Sequence, residues 1–107
     1  MEYAPQHLKK DTRKFWREIL KTYELEEHHK KLLTAACKAW DRAEEARQVL
    51  DEQGITFIDR FDQPKGRPEV KIEKDSRNDF RLLIRELGLD IEVKEEAGRM
   101  PRIKGKR

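Results

Sequence analysis

Three apolar stripes at helical spacing, interrupted once by a β-branched insert, limit what this chain can become. Leu8, Phe15, Trp16, Ile19, Leu20 and Tyr23 recur at three- and four-residue intervals, so residues 9–22 predict an amphipathic helix. Pro5 keeps the preceding segment extended, and Asp11 suits the positive end of the helix dipole. Glu26 and Glu27 open a second helix in the same way. Leu33, Ala36, Trp40, Ala43 and Leu50 carry it over 26–53, and Gly54 supplies a left-handed stop. Ile55-Thr56-Phe57-Ile58 then reads as strand and Asp62-Gln63-Pro64-Lys65-Gly66 as turn, so residues 55–67 read as a strand-like excursion or a short hairpin. Pro68 fits the first turn of a third helix over 69–87, with Val70, Ile72, Phe80, Leu83, Ile84 and Leu87 on its buried face. Gly88 ends that helix and Leu89 folds back over its last turn.

The fold class that follows is mainly α: a three-helix protomer with a strand-like or β-hairpin insert between the second and third helices. Residues 1–7 read as a mobile arm, 8–90 as the helical core and oligomerisation domain, and 91–107 as a basic, flexible tail that opens on a short strand at Asp90-Ile91-Glu92-Val93. Hydrophobic residues are 36% of the chain and charged residues 44%, so three single-stripe helices use nearly all the apolar side chains. A domain this small buries a modest share of its surface, and further burial has to come from neighbours. Ala36, Ala39, Ala43 and Ala46 form a small-residue surface on which another helix, from the same chain or a second one, approaches closely. An isolated two-stranded ribbon is marginal in water, so Phe57 and Phe61 on the insert are candidates to anchor a contact between subunits.

No stretch carries catalytic chemistry. Pro64-Lys65-Gly66-Arg67-Pro68 lacks the length and glycines of a phosphate loop. His28 and His29 point about 100° apart on a helix and have no companion at metal-ligand spacing. Cys37 is alone, which excludes an internal disulfide and a multi-cysteine metal site, and its alanine neighbours make it a small buried residue. Ser76 lies in a helical pattern rather than a nucleophile elbow. The expectation is a chain that is not an enzyme and takes no cofactor or metal. No apolar run is long enough to span a membrane and the N-terminus lacks a signal-peptide core, so a soluble intracellular protein is expected.

The formal charge of +3 is mild, but its distribution is uneven. Residues 1–23 hold six basic groups against three acidic ones, and residues 99–107 hold five basic groups and no acid. Lys10, Lys14, Arg17 and Lys21 share one stripe of the first helix, with Arg13 at its edge. Such a stripe can neutralise successive phosphates with little sequence preference, or it can be a solvated face. Arg99, Arg102, Lys104, Lys106 and Arg107 suit a nucleic-acid backbone, an acidic protein or mere solubility. Trp16 and Trp40 lie on apolar stripes and belong to the core.

Ala4-Pro5-x-x-Leu8, Phe15-Trp16, Tyr23-Glu24-Leu25, Leu32-Leu33, Ala46 to Leu50 with Gly54, Arg67-Pro68-Glu69-Val70 and Leu82 to Leu89 stand in the order found in the P27 family of phage terminase small subunits, which the chain resembles over residues 4–90. The resemblance implies a packaging component without catalysis in the host cytoplasm. Such a protein forms a ring, here of more than four copies, binds double-stranded viral DNA at the packaging start, and presents it to the large terminase subunit that holds the ATPase and nuclease. Two other readings stand beside it: a helix-turn-helix regulator built on the Tyr23 to Leu25 turn, and a helical interaction module with no nucleic-acid role.

Overall fold

The computed structural model describes residues 3–89, 91–92 and 102–103. Three helices carry the fold: α1 (Lys10–Thr22), α2 (Glu27–Gln53) and α3 (Pro68–Leu87). Strands β1 (Thr56–Ile58) and β2 (Pro64–Gly66) form an antiparallel hairpin between α2 and α3, in the register Thr56↔Gly66, Phe57↔Lys65, Ile58↔Pro64. Within the region read as tail, β3 (Ile91–Glu92) pairs antiparallel with β4 (Arg102–Ile103).

α2 is 27 residues long, about 40 Å at 1.5 Å per residue, and α3 runs back along it. The pairing shows in the side chains. Trp40 meets Phe80 with ring centroids 5.1 Å apart, and farther along Arg77 bridges Glu44 at 3.1 Å and Arg47 reaches Glu73 at 3.3 Å. Arg77 also holds Glu73 at 3.2 Å and lies 5.1 Å from the Trp40 ring centre, so one guanidinium ties the ion pairs to the aromatic core.

α1 covers only one end of this pair. Phe15, Trp16 and Ile19 from α1, Leu33, Cys37 and Trp40 from α2, and Phe80, Ile84 and Leu87 from α3 form one buried cluster, to which Leu89 adds its side chain. Leu8 and Ala4 join it too. Ala4 therefore belongs to the core although the reading of residues 1–7 placed it in the arm. The chain turns at Pro5, whose carbonyl accepts from the Leu8 N–H at 3.3 Å, and this brings both side chains onto the cluster.

Beyond the reach of α1 the core thins to two helices. Val70 and Ile72, expected on the buried face of α3, are 46% and 39% exposed, because among the described residues no third helix lies over the first turns of α3. The alanine surface has gone the other way. Ala36, Ala43 and Ala46 are buried inside the protomer, so the small side chains serve close packing within one chain and have no free surface for a neighbouring subunit. Ala39 remains half-buried at the edge.

Both glycine stops have positive φ but differ in kind. Gly88, at φ 68 and ψ 21, is the left-handed cap expected of it. Gly54 departs from that expectation: at φ 82 and ψ 176 it occupies an extended mirror region open essentially to glycine alone, and this directs the chain out of α2 into β1.

Candidate nucleic-acid interface

The position of α1 is fixed by a residue far along the sequence. Asp41 of α2 is buried; its Oδ2 accepts the Lys9 backbone N–H at 2.8 Å and its Oδ1 accepts the Thr12 hydroxyl. α1 has no side-chain cap of its own, so a carboxylate from α2 satisfies its first orphan amide. About one turn after Thr12 the Trp16 Nε1–H donates to the Thr34 hydroxyl at 3.2 Å, and Thr34 in turn donates to the Lys30 carbonyl at 2.9 Å. With Ile19 fully buried, the inner face of α1 is held at its start, middle and end.

That arrangement leaves the opposite face open. Lys10, Lys14, Arg17 and Lys21 are all exposed, and no ion pair among the described residues engages any of them. Arg13 is half-buried and donates to the Gln6 carbonyl at 3.4 Å. Asp11 and Glu18 stand on the flank of the stripe, on one side only. Where α1 turns into α2, Arg17, Lys21 and Lys30 meet Leu20, Tyr23 and Leu25, with Glu24 and Glu26 among them, around an open cleft of about 970 Å³. Lys30 pairs there with Glu27 at 3.3 Å. Four cations on a rigidly docked helix, with their ammonium and guanidinium groups in water, can meet an extended array of anionic oxygens without reorganising the protein beneath.

The second predicted cationic group is only partly described. Arg102 is placed in β4, whereas Arg99, Lys104, Lys106 and Arg107 lie outside the described residues. Phe57 and Phe61 are 37% and 69% exposed on the hairpin, each with a guanidinium near its ring: Arg67 at 5.8 Å and Arg60 at 4.9 Å.

Glu26, His28 and His29 bring donor atoms within 4.8 Å of one another, the group of described residues that could hold a metal ion. Their contacts have another explanation. The Glu26 N–H donates to His29 Nδ1 at 3.3 Å and the Glu26 side chain receives the His29 amide, a capping box in which histidine takes the usual glutamate place. Burial, with the Asp41 charge adding to it, pushes the Cys37 thiol up to about 12, so it stays protonated and is no nucleophile at neutral pH. No described helix is long and apolar enough to cross a membrane.

Asp41, Thr34 and Lys30 were not found by sequence reasoning. A buried aspartate inside a helical pattern, between Trp40 and Ala43, is the one signal that could have marked the first of them. Neither curated proteins nor solved structures give a match to this chain. The family model described as phage terminase, small subunit, matches residues 12–100, which takes in α1 from its third residue, all of α2 and α3, the β-hairpin and most of the region after α3. By that match the chain belongs to the phage terminase small subunit family.

Proposed function

We propose that this chain is the DNA-engaging adaptor of a phage packaging machine. It binds double-stranded viral DNA through the α1 stripe, assembles into a ring of more than four copies, and hands the DNA to the large terminase subunit in the host cytoplasm. The observation that supports it most is the set of four cations without an ion pair among the described residues, Lys10, Lys14, Arg17 and Lys21, on a helix anchored by Asp41. Arrayed around a ring, such stripes form a continuous positive collar that follows a phosphate backbone whatever its sequence. The basic residues at 99–107 are further candidates to meet phosphates. The chain contributes no catalysis of its own, and ATP hydrolysis and cleavage belong to the large subunit.

A salt titration tests the DNA role. If each of the four cations meets one phosphate, the logarithm of the binding constant falls against the logarithm of salt with a slope of about −3 to −4 per subunit engaged. Replacing Lys10, Lys14, Arg17 and Lys21 by Glu abolishes salt-sensitive retention of duplex DNA with the helical circular dichroism unchanged. Unchanged retention in that variant rejects α1 as the DNA surface.

A further inference from the structure

We infer that copies of this chain join head to tail, the hairpin tip of one seated in the α2–α3 groove of the next. The inference rests on the ring reading above and goes beyond it by naming the two surfaces that meet.

The tip is built before it docks. Asp59 Oδ1 accepts the backbone N–H groups of Phe61 at 2.8 Å and Gln63 at 3.0 Å. The Asp59 N–H donates to the Gln63 carbonyl at 3.0 Å, and the Asp62 N–H to the Asp59 carbonyl at 3.1 Å. Asp62, at φ 60, sits in the left-handed region. A loop bonded in this way has little conformational freedom left to lose on association. It holds Phe61 in water at 69% exposure, with Ile58 beside it at 62%. Apolar side chains of this size on a pre-organised loop are what a hot-spot anchor requires.

The receiving surface lies between α2 and α3. Ala39, Leu82 and Leu83 line an open groove of about 480 Å³, rimmed by Lys38, Arg42 and Asp79. Leu82 is 49% exposed, and among the described residues no ion pair engages the three charged groups of the rim. The charges complement each other. The tip offers Asp59, Asp62 and Arg60, two acids and a base, while the rim offers two bases and an acid. Asp59 is already bonded to its own loop, which leaves Asp62 to meet Lys38 or Arg42 and Arg60 to meet Asp79. An aromatic anchor in an apolar trough with a charged rim is the anatomy of a specific interface.

The joint as proposed is heterologous, one copy's tip entering the next copy's groove without reciprocal exchange between two copies. Ala39 and the end of α2 at Gln53 are separated by about 20 Å along the helix at 1.5 Å per residue, so tip and groove are different patches of one protomer. Contacts between unlike patches propagate, and they close into a ring when the rotation between copies allows.

Native mass spectrometry of the full chain tests it through a pair of exposed variants. Phe61→Glu keeps its groove and loses its tip; Leu82→Glu keeps its tip and loses its groove. Each alone is expected to be monomeric with unchanged helical circular dichroism, and an equimolar mixture is expected to give a one-to-one heterodimer that grows no further. Asp62→Arg combined with Arg42→Asp in one chain is expected to assemble better than either change alone. A Leu82→Glu chain that keeps the wild-type oligomer overturns the joint and leaves the ring reading standing, as does a mixture that stays monomeric while the wild type assembles. A wild-type chain that is monomeric throughout overturns both.

Discussion

At the end where α1 docks, Phe80 is enclosed by Phe15 at 6.5 Å and Trp40 at 5.1 Å, and the helices share one buried cluster. At the other end Phe57, Ile58 and Phe61 stand in water on a two-stranded ribbon, and Val70 and Ile72 lie open on α3. Both ends are rich in large apolar side chains, yet among the described residues only one has a third element to bury them. The contrast teaches that local patterning sets which residues form a stripe, whereas the reach of neighbouring elements sets whether the stripe is covered. It also divides the labour. The closed end carries the cationic face of α1, and the open end leaves its apolar side chains uncovered within the protomer.

The largest effect that could break this contrast is truncation at its centre. Phe80→Ala should cost about 3–5 kcal/mol by denaturant unfolding of the dilute chain, the range for removing a buried phenyl ring. Phe57→Ala on the open end should change monomer stability by no more than about 0.5 kcal/mol. Similar losses at the two positions would mean that the ends are not different. Asp41→Ala comes next: it leaves the Lys9 amide and the Thr12 hydroxyl without their acceptor, at about 1–3 kcal/mol. Hydrogen exchange should then accelerate in α1 ahead of α2 and α3; a uniform change would show that Asp41 is not what docks α1.

At the junction between the ends, Gly54→Ala should cost about 1–3 kcal/mol in thermal unfolding, because its backbone lies in a region that a Cβ disfavours. The cost is conformational, since nothing lies within 4 Å of the added atom. The smallest effect concerns Cys37. An unfolded thiol ionises near 9.0, whereas burial holds the native one near 12, so the unfolded state binds fewer protons in that window. Stability should therefore fall as pH rises from 9.0 towards 12, and Cys37→Ala should flatten that part of the curve. At neutral pH, thiol labelling should proceed only through unfolding.

The helices were legible in the sequence because their signals are local. Apolar spacing, acids in first turns, Pro68 and the glycine stops set their ends within a residue or so of those observed. The insert was legible for the same reason, since β-branched residues followed by a turn cluster permit little else at that length. Burial of Val70 and Ile72 was not, because it depends on where α1 stops, and the docking of α1 depends on Asp41, a contact across 32 positions that no periodicity encodes. The alanine surface illustrates the same limit: spacing marked Ala36, Ala43 and Ala46 as a place of close approach, and only the fold shows that the approaching helix belongs to the same chain. Of the candidate site, the stripe on α1 could be read directly, while the cleft with Lys30 and the groove beside Leu82 exist only once helices are packed.

Sedimentation velocity of the unmodified chain across micromolar concentrations tests most directly whether the open end is completed by further copies. A single discrete species of more than four subunits, persisting on dilution until it dissociates to protomers, is the result this account predicts. A monomer at every concentration, with Phe57, Ile58 and Phe61 left in water, would contradict it.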